Sequence, residues 1–168
     1  MTTWQEKTLQ GNKRFHQGDW CAARELYTEA IQSIEALWFS QLEDRPLMMA
    51  WIANMHNLAL LYEKIEQPQE AGKCYMIPYR RVLYLMKEDC FTPEFQQTLL
   101  YAMRTAALEL LDFSKRYPIC PCCQDKLKSI GHWLNEHYQS TRLSALKPAL
   151  ESGCFGAIEH PTEEALLH

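Results

Sequence analysis

The sequence predicts an all-α fold: three long antiparallel helical hairpins followed by a C-terminal capping segment. Three observations predict it. Apolar residues recur at three- and four-residue steps along most of the chain, the spacing of one helix face. A pattern of small residues, turn and tyrosine near the start returns 48 residues later, from Ala23 to Ala71 and from Tyr27 to Tyr75. Only six glycines and few β-branched residues occur in 168, which disfavours a sheet. With 47% apolar residues, eight tyrosines and five tryptophans, the chain can bury the core of one domain.

The first hairpin is the plainest. Gly11 has no side chain and lets a second helix pack close to the first. Gly18-Asp19 breaks the first helix, with Gly18 supplying a left-handed position and Asp19 capping the next helix. Trp20 staples the turn. Ala23, Leu26, Tyr27, Ala30, Ile31, Ile34, Leu37 and Trp38 then carry the helical period to about Gln41. Ala23 and Ala30 allow a close crossing, and Tyr27 fills the gap between them.

In the second hairpin, Leu47, Met48, Trp51, Met55, Leu58, Leu61, Tyr62 and Ile65 mark the first helix. Glu66-Gln67-Pro68 ends it, and Pro68 opens the next helix at its first position. That helix runs to about Lys87, and Pro78 in its interior should kink it. Thr92-Pro93-Glu94 starts the third hairpin, with Thr92 as cap. Its stripe is Phe95, Leu99, Ala102, Met103, Ala106, Leu110 and Phe113. After the turn Tyr117-Pro118-Ile119-Cys120-Pro121, a sixth helix follows on Leu127, Ile130, Leu134 and Tyr138. Leu143-Ser144-Ala145-Leu146 and Ala149-Leu150, interrupted by Pro148, read as a short segment shielding the last helix face. The helical domain is thus expected over 1–152, with a tail over 153–168.

The stretch 10–31, on Gly11, Gly18, Trp20, Ala23, Tyr27 and Ala30, resembles a tetratricopeptide repeat. Weaker echoes extend the resemblance over about residues 4–140. That family repeats every ~34 residues. Here Ala59 and Ala106 are 47 apart, so lengthened helices are implied. The resemblance implies a superhelix whose first helices line a concave groove that holds a peptide or protein segment. One subclass of these repeats clamps a peptide carboxylate with lysines, asparagines and an arginine. By register Asn12 and Asn57 match the clamp asparagines, and Arg104 matches the arginine. The lysine positions hold Thr8 and Leu100, and the adjacent Lys7 points roughly 100° away on a helix. The resemblance therefore implies a general peptide groove, with Asn12, His56, Asn57, Lys64 and Arg104 contributing, rather than the carboxylate clamp.

The cysteines offer an alternative. Seven is an odd number, so reduced thiols are expected. Cys120-Pro121-Cys122-Cys123 is a dense thiol cluster in a predicted turn. Zinc takes four ligands in a tetrahedron, and Cys154, His132 or His137 would have to supply the fourth. A thiol- or zinc-dependent regulatory module on Cys120, Cys122, Cys123 and Cys154 is thus the runner-up reading. Against it, Cys120 and Cys123 form the sole C-x-x-C, with Pro121 inside it and no helix-start context to tune a redox pair. Cys21, Cys74 and Cys90 read as small hydrophobes.

No catalytic constellation emerges. His132 and His137 are five apart, about 140° around a helix, and cannot share a zinc. Glu43-Asp44 and Glu163-Glu164 read as solvated charge. Neither a phosphate-cradling G-x-x-x-x-G-K-[ST] nor a G-x-S-x-G is present. The net charge of −4 and the lack of a basic run argue against nucleic acid. No apolar run reaches membrane-spanning length, and the first residues lack a signal-peptide layout, so a cytoplasmic location is expected. The expected function is a non-catalytic scaffold, adaptor or chaperone-like module that needs no cofactor. Self-association as a homodimer through Trp4 and Trp38 is a third reading, with core packing the expected role of both rings.

Overall fold

The computed structural model describes residues 3–119 and 121–137, which form six helices in a row. They are α1 (Trp4–His16), α2 (Trp20–Trp38), α3 (Arg45–Lys64), α4 (Pro68–Lys87), α5 (Pro93–Arg116) and α6 (Pro121–His137). Each packs chiefly on the next, and α3 also packs on α5. The fold is all-α, built as three consecutive antiparallel pairs. The expected capping segment and tail lie outside the described residues.

Local chemistry places the helix ends. Thr3 and Glu6 form a capping box at α1, and Asp19, Asp44 and Thr92 each accept a backbone N–H at the starts of α2, α3 and α5. Proline opens α4 and α5, where its missing N–H costs nothing. Gly18 sits at φ +76°, the left-handed stop that the sequence predicts. At the corresponding α3–α4 turn, Glu66 takes φ 58° without glycine's freedom.

Gly11 and Tyr27 set the spacing of the first pair. A Cβ on Gly11 would lie 2.7 Å from Tyr27 Cε1, so α1 and α2 approach only because that atom is missing. Ala23 and Ala30 flank Tyr27 and are fully buried. Phe15 and Trp20 meet edge to face across the turn, with ring centroids 5.3 Å apart. The core then continues through every pair, from Ile34 and Trp38 to Leu127 and Ile130.

α4 runs through Pro78 to Lys87 as the sequence predicts, with Pro78 buried inside the packing. One expectation changes. α6 begins at Pro121, so Cys122 and Cys123 lie in its first turn rather than in a connecting loop. Trp38 is a core residue beside Trp51, and Trp4 packs half-buried against the core, the packing role expected of both.

Candidate functional site

Among the first helices of the pairs, α3 packs on α5, and α1 reaches α3 through side chains. α1 meets α3 through two polar contacts. Thr8 Oγ1 donates to Asn54 Oδ1 at 3.0 Å, and Asn57 Nδ2 donates to Asn12 Oδ1 at 3.3 Å. Asn12 Oδ1 also accepts from the Tyr27 hydroxyl at 2.8 Å. Burial pushes the Tyr27 phenol up to about 12, so it remains a donor. With Asn12 Oδ1 doubly engaged, Asn12 Nδ2 and Asn57 Oδ1 make no hydrogen bond among the described residues. The half-buried pair therefore leaves one amide donor and one amide acceptor for a ligand.

Ala53, Asn57, Leu60 and Lys64 follow each other on α3 at four- and three-residue steps, which puts them on one side of the helix. Leu60 is 44% exposed, and Ala53 and Lys64 are exposed too. Leu9 on α1, 68% exposed, and Leu108 on α5 add apolar surface. Arg104 is half-buried on α5, between Leu100 and Leu108.

Of the five residues singled out in the sequence, Asn12 and Asn57 are joined directly. Lys64 lies two turns along α3 from Asn57, and Arg104 lies on the neighbouring α5. His56 behaves differently. It is only 9% exposed, its ring lies 5.4 Å from that of Tyr75 on α4, and its Nε2 is buried with no hydrogen-bond partner among the described residues. Burial lowers its pKa to about 4, so it is a neutral core imidazole and not a groove contact. The clamp positions without lysine have structural occupants. Leu100 is a core residue, and Lys7 turns toward α2, 3.3 Å from Glu29 and 3.4 Å from Ser33.

Two polar clusters had no periodic signal to reveal them. Arg81 on α4 lies over the rings of Trp38 and Trp51, at 4.5 and 5.0 Å. Glu35 completes this group by accepting from Trp51 Nε1 at 2.9 Å and facing Arg81 at 3.9 Å. Burial lowers the Arg81 pKa, and Glu35 opposes that shift. In the second cluster, Glu63 on α3 accepts two hydrogen bonds from the Arg116 guanidinium, both at 3.0 Å, and one from the Tyr75 hydroxyl at 2.9 Å. The bonds to Glu63 raise the Arg116 pKa. Asn54, 1% exposed, is a third polar residue inside the packing, satisfied by Thr8 and by Ala50 O.

The cysteines do not assemble a metal centre among the described residues. Cys123 is disulfide-bonded, contrary to the expectation of reduced thiols, and a disulfide sulfur is no thiolate ligand. Cys122 is exposed, and Cys120 and Cys154 lie outside the described residues. Cys74 is buried as expected, with its thiol pushed up to about 12 by burial. Cys21 and Cys90 are exposed and are not core hydrophobes. The Glu43-Asp44 pair is not idle charge either: Asp44 caps α3, and Glu43 accepts from Thr92 Oγ1 and from its backbone N–H at 3.4 Å, tying two connections together. His132 is exposed, and the side chain of His137 lies outside the description.

No helix among the described residues is long and apolar enough to cross a membrane. No curated protein and no solved structure matches the chain. A family model does, from residue 2 to residue 144, which is most of its length: the chain belongs to the family described as "Protein of unknown function (DUF2753)".

Proposed function

We propose that this protein is a non-catalytic interaction module of the cytoplasm, and that its α1–α3–α5 face holds a segment of another protein. One observation carries the reading. The linked amides of Asn12 and Asn57 leave a donor and an acceptor beside the exposed stripe of Ala53, Leu60 and Lys64. Such a pair can hydrogen-bond a peptide backbone while Leu9, Leu60 and Leu108 take apolar side chains. Lys64 and Arg104 add fixed positive charge at the edge, favouring a partner segment with acidic residues. The resemblance to tetratricopeptide repeats, carried by Gly11, Gly18, Trp20, Ala23, Tyr27 and Ala30, points the same way. Nothing in this reading calls on a cofactor.

The test is recovery of a partner from the native host on immobilised full-length protein, followed by affinity measurement with the Leu60→Glu/Lys64→Glu variant. Both positions are exposed, so the variant should melt like the parent. Binding should weaken at least about tenfold, or ~1.4 kcal/mol. Equal affinity of parent and variant would remove this face from consideration.

A further inference from the structure

The start of α6 holds a redox group that the α1–α3–α5 face does not use. Cys123, 7% exposed in the first turn of α6, is disulfide-bonded. Cys21, Cys74, Cys90 and Cys122 are free thiols. Of the seven cysteines in the chain, Cys120 and Cys154 are then the two that can bond Cys123, and both lie outside the described residues. The sequence argues against a redox pair because no helix start is there to tune it; α6, which begins at Pro121, supplies that start. α6 is 17 residues long and its first turn carries no acidic residue, so nothing there offsets the positive end of its dipole. Asp125, the nearest carboxylate along the helix, faces Lys128 at 3.9 Å. Cys122 beside Cys123 is exposed, so dissolved reagents reach this turn.

We propose that the disulfide of Cys123 is a thiol–disulfide exchange site that takes electrons from a dithiol. Burial keeps an incoming thiolate from the Cys123 sulfur, so attack falls on the sulfur bonded to it. That S–S bond breaks, a mixed disulfide forms with the dithiol, and Cys123 leaves as the thiolate. The unpaired N–H groups and the dipole at the helix start favour this anion, and a favoured thiolate leaves faster. The second thiol of the dithiol then gives up its proton, closes the reductant's own disulfide and releases the protein's other sulfur. The dithiol is oxidised by two electrons, and Cys123 and its partner cysteine take up its two protons as thiols. Cys122, rotated by about 100° from Cys123 on the helix, takes no part. A disulfide that only braced the fold would behave in the opposite way, shielded in the native protein and opened by unfolding.

Full-length protein, treated with diamide and desalted, is mixed with dithiothreitol either in native buffer or unfolded in urea. Free thiols are alkylated at intervals, and the tryptic peptide 117–126, which holds Cys122 and Cys123, is read by mass spectrometry. Its mass before reduction also shows whether Cys120 or Cys154 bonds Cys123. Cys123 should become open to alkylation about fivefold faster in the native protein than in urea, with an equimolar amount of dithiothreitol oxidised. Cys122→Asp sets a carboxylate beside the leaving thiolate, at a position where an acid suits the helix, and should slow the native reaction about threefold. Cys122→Ser should leave it unchanged. Slower opening in the native protein than in urea would make the disulfide a structural brace and overturn the proposal. So would equal rates in Cys122→Asp and Cys122→Ser, and so would Cys123 alkylated before any dithiol is added.

Discussion

The junction between the first and second pairs and the junction between the second and third are built from different materials. At the first, the Trp38 and Trp51 rings sit 5.6 Å apart under the Arg81 guanidinium, with Glu35 at its side. At the second, Glu63 grips Arg116 with two hydrogen bonds, and Tyr75, Phe113 and His56 stack nearby. One junction is aromatic, with a partly exposed Arg81–Glu35 pair at its side. The other is an ion pair with a neutral imidazole beside it. The same hairpin geometry thus tolerates both, and the difference should appear in how each junction responds to truncation, pH and salt.

The largest effect is expected at the aromatic junction. Trp51→Ala removes a ring that is 1% exposed, together with its hydrogen bond to Glu35 and its contact with Arg81. A loss of about 3–5 kcal/mol in urea unfolding follows from the cavity it leaves. A loss below ~1 kcal/mol would mean the junction closes around the gap.

Acid separates the two junctions next. His56 titrates near its ordinary 6.5 when unfolded but at about 4 in the fold. Between those values the unfolded chain binds the extra proton, so stability falls as pH drops from 6.5 to 4. The loss is about 3 kcal/mol for this one group. His56→Leu should flatten that part of the stability–pH curve, while Trp51→Ala should leave its slope unchanged. An unaltered slope in His56→Leu would place the acid sensitivity elsewhere.

Salt gives the smallest and most selective contrast. Glu63→Gln and Arg81→Met should each cost about 1 kcal/mol, the first discounted because Arg116 is well exposed and the second drawn from a cation–π contact and a loose 3.9 Å pair with Glu35. The Glu63→Gln penalty should shrink more between low salt and 1 M salt than the Arg81→Met penalty, because the Arg81–Glu35 pair is the looser one. Equal salt responses would show that the ion pair is not what distinguishes the second junction.

What could be read from the sequence was local or periodic. Asp19, Thr92, Pro68 and Pro93 announce helix starts through their own capping chemistry, and Gly11 with Tyr27 announces a close crossing. The start of α6 was hidden because Pro121 within Cys120–Cys123 suggests a turn, although proline is equally suited to a first helical position. Register brought Asn12 and Asn57 together, but it could not say that His56, one residue away and rotated by about 100°, would be closed over by Tyr75. Glu63 and Arg116 are 53 residues apart, and no spacing rule links a carboxylate to a guanidinium at that range. The exposed Cys21, on α2, and Cys90, in the α4–α5 connection, show a related limit, since a small apolar residue is tolerated at exposed positions as well as buried ones.

Tyr27 has a consequence beyond filling space against Gly11. An asparagine amide is nearly symmetric in shape and opposite in polarity at its two ends, so a surface asparagine can present either atom by turning over. In this structure the Tyr27 hydroxyl donates to Asn12 Oδ1 and so favours one of the two orientations. Through Asn12, it also dictates which end Asn57 turns outward. A core phenol thereby anchors a surface amide pair from beneath, and Tyr27→Phe would remove that anchor while leaving the helix spacing in place.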